Sequence, residues 1–231
     1  MSRRSVSDLS PLDWLPLASD VPAVSGLPFG FAAYLQLFPS LGIDRSIPLD
    51  AYSFAARTVD QLNARATFWT VHGIQHGQPA PERLTPITYR QVAAELGIPF
   101  TPAFGNEAIR RAHGGWPPHL GSSLELEVAL AQHLVDVLGP QSKTYCYGSV
   151  AEGANRWDAE GMPTDWLEHG RAQDVVDLYQ QERSWPTYTF AADHTWCLYQ
   201  GEEQEWLVLG CSAEMAQVLR TQTTMESLPL V

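Results

Sequence analysis

Apolar residues recur along this chain at two spacings, and the spacing changes from segment to segment. In "FGFAAYLQLF", Phe29 to Phe38, the residues Phe31, Tyr34, Leu35 and Phe38 share one helical face, and Pro39 ends the run by removing a donor. This predicts a short helix. "RATFWTVHGIQHG", Arg65 to Gly77, is ambiguous: Thr67 to Val71 favours a strand, and the two glycines and Pro79 then favour a loop. Thr88 and Gln91 form a capping box for a helix with Tyr89, Val92, Ala93 and Leu96 inside and Gly97 at its stop. Residues 98–121 are rich in Pro and Gly, with one helical turn expected near Asn106 to Ala112. Phe100, Phe104 and Trp116 argue against a free linker there.

The strongest helix is predicted over Leu124 to Leu138. Ser122 and Glu125 read as its capping box, and Leu126, Leu130, His133, Leu134 and Val137 as its buried stripe. "KTYCYGSV" then reads as a strand, "AEGANRWDAEGMPTDW" as a polar loop, and Asp174 to Tyr179 as a short helix. The closing unit, "DHTWCLYQGEEQEWLVLGCSAEMAQVL", predicts a strand over Thr195 to Tyr199, a turn at Gln200 to Gln204 and a return strand from Glu205 to Leu209. Gly210 is expected to break that strand and Ser212 to cap a helix from Ala213. Both faces of each strand carry apolar residues, so the hairpin is expected to be covered on both sides. Only the acidic turn, Glu202-Glu203, is expected in solvent.

The expected class is α+β, an antiparallel sheet with packed helices, ending in a β-hairpin followed by a short helix. The expected organisation is an extended lead-in over residues 1–27, packed on the body, and a single domain over 28–231. No apolar run follows Arg3-Arg4, so no signal peptide is expected, and no apolar stretch approaches the length of a membrane span. The expected location is the cytoplasm.

Charge narrows the partners. Twenty-six acids stand against 14 bases, a net charge of −12. A duplex binder needs a positive footprint, and the only basic clusters are the pairs Arg3-Arg4 and Arg110-Arg111. Nucleic acid and membrane are not expected partners and a polypeptide is; the acidity itself fits an ordinary soluble surface or a basic partner protein. Cys146, Cys197 and Cys211 have no paired spacing and do not form a disulfide framework.

The candidate chemistry is thin. His72 and His76 are four apart, but "GIQ" lies between them and no glutamate base is near, so no metal is expected. His194 and Cys197 are three apart, which puts them on opposite faces of a strand. "GSVAEG" lacks the lysine of a phosphate loop, and "FGFAAY" is not a dinucleotide fingerprint. No cofactor is expected. The carboxylates Asp158, Glu160, Asp165, Glu168 and Asp174 keep a hydrolase as the alternative reading. The eight tryptophans are the stronger anomaly. Trp116, Trp157 and Trp166 lie in Gly/Pro-rich or acidic segments. With Asp158, Asp165 and Glu168 they define an expected acidic and aromatic recognition surface.

Four blocks carry a resemblance: "LPFGFAAYLQLFP", "TYRQVAAELG", "PPHLGSSLELEVALAQHLVDVLG" and "WPTYTFAADHTWCLYQGEEQEWLVLGCSAEMAQVL". In that order they resemble a bacterial protein family of unknown function, common in actinobacteria. Tyr89 stands near where that family has Trp, and "LGCS" replaces its glycine pair. The resemblance implies a shared fold and a common role for the C-terminal part, and no activity. The acidic, Trp-rich α+β character is also similar to bacterial immunity proteins of the Smi1/Knr4 type, which bind partners. Together these give the expectation of a non-catalytic, acidic, protein-binding domain, of the immunity type.

Overall fold

The computed structural model describes residues 3–17, 23–54, 56–154, 156–202, 204–222 and 225–230. Among them are fifteen strands and six α-helices. The first seven strands are β1 (Arg4–Ser5), β2 (Ala23–Val24), β3 (Leu27–Pro28), β4 (Ala33–Leu37), β5 (Leu41–Ile43), β6 (Thr85–Ile87) and β7 (Leu120–Gly121). Then come β8 (Lys143–Gly148), β9 (Arg156–Trp157), β10 (Pro163–Thr164) and β11 (Trp166–Arg171). The last four are β12 (Tyr188–Ala191), β13 (Cys197–Tyr199), β14 (Leu207–Cys211) and β15 (Ser227–Pro229). The helices are α1 (Val59–His72), α2 (Tyr89–Leu96), α3 (Asn106–His113), α4 (Leu124–Leu138), α5 (Asp174–Glu182) and α6 (Ala213–Thr221).

The fold is α+β with antiparallel sheets and packed helices. The chain divides into two compact units: Met1–Pro39 with Val128–Val231, and Ser40–Glu127. The second lies within the 28–231 stretch.

The first unit is an eight-stranded sheet in the order β1-β11-β8-β12-β13-β14-β4-β15, every pair antiparallel. Its side chains sort by strand alternation. Leu35, Leu37, Cys146, Leu198, Leu209 and Cys211 join one core with Leu134 and Val135 of α4, Val175 and Leu178 of α5, and Leu219 of α6. Tyr34, Tyr147, Tyr188, Phe190, Cys197 and Val208 join the opposite core with Leu12, Leu15 and Leu27. Helices therefore cover one face and the N-terminal segment the other. That accounts for the apolar character of both faces of the C-terminal hairpin. The outer strands are short and exposed at Arg4-Ser5 and carry Pro229 at the other end, features that blunt a sheet edge.

Several elements depart from the sequence expectation. Residues 33–37 form a strand rather than a helix, because β4 is hydrogen-bonded on both sides, to β14 and β15, and buried on both faces. A fully buried strand gives a continuous apolar run that one-face helical spacing imitates. Residues 59–72 form helix α1, against the strand preference of Thr67 to Val71. A capping box between Thr58 and Gln61, and left-handed Gly73 at the other end, override the β-branched residues. The expected polar loop and irregular stretch contain a hairpin, β9-β10, and the six-residue strand β11. Gly210 lies inside β14 rather than ending it. Ser123 rather than Ser122 caps α4, its Oγ accepting from the Leu126 N–H at 3.3 Å. The buried residues of α4 are Ala131, Leu134, Val135 and Leu138; Leu126, Leu130, His133 and Val137 are half-buried.

Other expectations hold in detail. The capping box of α2, the αL stop at Gly97, the helix α3, the strand at β8 and the Ser212 cap of α6 are all present. Glu202 is exposed, and Glu203 lies outside the described residues.

The second unit has a three-stranded antiparallel sheet in the order β6-β5-β7. Leu41, Ile43, Ile47, Ile74, Ile87, Tyr89, Val92, Phe104, Ile109 and Leu120 are its large buried side chains, with buried Asp44 and His119 among them. Asp44 is ion-paired with Arg83 and accepts from the Ser46 hydroxyl at 2.7 Å. Helix α1 contributes no buried residue to this core.

Candidate functional site

The six residues singled out from the sequence fall into both units. Trp157, Asp158, Asp165, Trp166 and Glu168 lie in the first, Trp116 in the second.

In the first unit, β9 and β10 form a two-stranded hairpin with Trp157 opposite Pro163 and Arg156 opposite Thr164. Asp158 shapes its tip: the carboxylate accepts the N–H groups of Glu160 (3.0 Å) and Met162 (2.8 Å), an Asx-type turn. Arg156 fastens the hairpin. Its guanidinium donates to Glu168 on β11 (2.7 Å) and to Glu182 at the end of α5 (3.1 Å), and lies 4.0 Å over the Trp166 ring. Arg3 also pairs with Glu168, at 3.2 Å. Trp166 is half-buried, and its Nε1 donates to the Ala154 carbonyl at 2.6 Å. Asp165 accepts from the Tyr147 hydroxyl and the Val150 N–H, both at 2.6 Å. Burial and that hydrogen bond push the Tyr147 phenol up to about 12.

Asp158, Asp165 and Glu168 are thus held by structural donors, and Trp166 is a packing residue. Trp157 differs. Its neighbour Arg156 turns toward β11, and alternation along the strand sends Trp157 the other way. Trp157 is 70 % exposed, Met162 beside the turn is 61 % exposed and Val150 is 40 % exposed. These three large apolar side chains stand open to solvent within thirteen residues of chain. Their setting is acidic: the first unit holds eighteen of the 26 acids and seven of the 14 bases. The charge of the chain is therefore concentrated in the unit that presents Trp157. The second unit, with seven arginines against eight acids, is close to neutral.

In the second unit Trp116 is half-buried, its Nε1 donating to the Leu120 carbonyl at 3.1 Å. It lines an open cavity of about 390 Å³ together with Tyr52, Arg65, Trp69, His76, Gly77, Gln78, Asn106 and Arg110. Sequence reasoning missed these companions. The signal was present: Arg65 and Trp69, and again Asn106 and Arg110, are four apart and share a helical face. It went unread for the first pair because the β-branched residues around it drew the segment toward a strand.

The reactive-thiol and metal motifs are taken apart by the geometry. Cys197 is fully buried, and its thiol is pushed well above the ordinary range by burial. His194 is exposed, at φ 59°, and stacks on Trp14 with ring centroids 4.0 Å apart. His72 ends α1 and His76 sits in a turn. Among the described residues there is no group of three or more His, Cys, Asp or Glu placed to hold a metal. No helix among them is long and apolar enough to cross a membrane.

Comparison of the chain with protein-family models, with curated proteins and with solved structures finds no match.

Proposed function

We propose that this protein is a non-catalytic binding protein whose acidic first unit recognises a basic polypeptide. The carrying observation is Trp157, 70 % exposed on a hairpin that Arg156 fastens to the sheet. An exposed indole on a fixed support is a low-entropy anchor for an interface. The eighteen acids of the same unit attract a cationic partner, raise its association rate and disfavour acidic competitors. A role of the immunity type, in which binding holds a basic toxic polypeptide inactive, is the form of this reading that the charge fits. Four of the five candidate carboxylates of residues 148–174, Asp158, Asp165, Glu168 and Asp174, accept structural hydrogen bonds, which favours this reading over hydrolysis.

The test is an array of peptides graded in charge, probed with the full chain and with the Trp157→Ala and Met162→Ala variants. Retention by lysine- and arginine-rich peptides, lost in the Trp157 variant, is the expected result. Equal retention by acidic and basic peptides sinks the proposal.

A further inference from the structure

The geometry points to a second binding site, in the cavity of the second unit, for a small phosphate monoester carrying a flat ring. The inference is independent of the polypeptide reading, which concerns the other unit.

Arg65 and Arg110 both line this cavity, and no acid is among the nine residues around it. Among the described residues the guanidiniums of these two have neither an ion pair nor a hydrogen bond. Each instead lies over an indole: Arg65 is 5.7 Å from the Trp69 ring centroid and Arg110 is 5.8 Å from that of Trp116. The ring faces attract both cations at the cavity wall, and their N–H donors have no acceptor among the described residues. Two guanidiniums lining one cavity can offer donor forks to phosphate or carboxylate oxygens.

Two further features add positive potential. Helix α3 begins at Asn106, a cavity residue, and its N-cap is Gly105, with no side chain capping the first turn. The partial positive charge of that helix end favours an anion. His76 reaches the cavity from a tight turn in which Gln75 and Gln78 exchange backbone hydrogen bonds at 2.9 and 3.0 Å. His76 at φ 52° and Gly77 at φ 81° fill the two left-handed positions of that turn.

The arrangement also explains helix α1. Its inward residues Arg65 and Trp69 face the cavity, which is why a capped fourteen-residue helix contributes nothing to the core. Two forks and a helix end suit a doubly charged phosphate better than a single carboxylate. Trp69, Trp116 and Tyr52 place aromatic rings in the wall against which a flat ring can lie, and 390 Å³ accommodates a ligand of that size.

Isothermal titration of the full chain tests this, with phenyl phosphate, adenosine monophosphate, inorganic phosphate, benzoate and adenosine as probes. The two phosphate monoesters should bind saturably and the other three more weakly. Arg65→Gln and Arg110→Gln, which leave the core untouched, should each weaken monoester binding about tenfold with an unchanged circular dichroism spectrum. Adenosine binding as well as its monophosphate, or benzoate as well as phenyl phosphate, would overturn the phosphate site. Inorganic phosphate binding as tightly as the esters would overturn the ring-bearing ligand. Monoesters failing to saturate at millimolar concentration, or binding the Gln variants unchanged, would overturn the site as a whole.

Discussion

Arg156→Ala removes the fastening of the Trp157 hairpin without touching Trp157. Three interactions are lost: the bonds to Glu168 (2.7 Å) and Glu182 (3.1 Å) and the stack on Trp166 at 4.0 Å. Hydrogen bonds between charged groups contribute roughly 1.5–3 kcal/mol each, and a cation over an aromatic ring about 0.5–1 kcal/mol. The gross figure must be reduced on two grounds. The Arg156 side chain is 31 % exposed, so solvent screens it, and Glu168 keeps its pair with Arg3. A net loss of about 2 kcal/mol remains. For a unit of this size, that lowers the melting temperature by roughly 6–8 °C. Differential scanning calorimetry at low and high salt is the assay, with Arg156→Lys beside the alanine variant. Lysine keeps the charge but not the planar fork, so it should recover less than half of the loss. A melting shift under about 1 °C in the alanine variant, or full recovery by lysine, would show that the hairpin is held by something other than this fork and stack.

Three further outcomes are expected. Burial, and then the nearby His113, lower the His119 imidazole to about 4 from its ordinary value near 6.5, so the unfolded chain binds more protons between those values. The second unit should therefore lose roughly 2 kcal/mol as pH falls from about 6.5 to 4, and His119→Asn should flatten that part of the stability curve measured by urea unfolding. Gly148→Ala places a methyl group into the Ala154 carbonyl oxygen and the Trp166 indole, so it should cost more than about 3 kcal/mol and be seen as loss of the cooperative thermal transition. Burial raises the thiols of Cys146 to about 12 and Cys211 to about 11, and holds that of Cys197 well above its ordinary value. Native protein at pH 8 should leave all three unmodified by a thiol reagent over minutes, whereas denatured protein should react at three sites.

The sequence disclosed this structure unevenly, for physical reasons. Helices with end signals were legible: Thr88 with Gln91 and Gly97, and Ser212 before α6, act locally and read the same in any fold. The two-faced burial of the C-terminal hairpin was legible because the sheet lies between two covers and needs both faces apolar. Strand β4 was not, since Phe31, Tyr34, Leu35 and Phe38 satisfy helical spacing although the segment forms a buried strand, and its two neighbours in the sheet are distant in sequence. Of the acidic and aromatic residues singled out, Trp157 stands open to solvent, while Asp158, Asp165 and Glu168 proved to have partners elsewhere in the chain. A carboxylate that closes a turn and one that waits for a ligand are spelled alike. The cavity was hidden for a related reason: its residues come from α1, α3, the turn at 75–78 and the loop at Trp116, which only folding brings together.

The most direct test of the central claim is the affinity of wild-type and Trp157→Ala chains for the best basic peptide from the charge-graded array. Trp157 is 70 % exposed. Burying an indole removes on the order of 150 Å² from water, which at about 25 cal/mol per Å² is at most roughly 4 kcal/mol. Incomplete burial brings the expected loss to about 2–3 kcal/mol, a weakening of roughly 30- to 150-fold. Such a loss, with the thermal stability of the variant unchanged, is what the Trp157 hairpin requires. Wild-type affinity in the Trp157→Ala chain would contradict it.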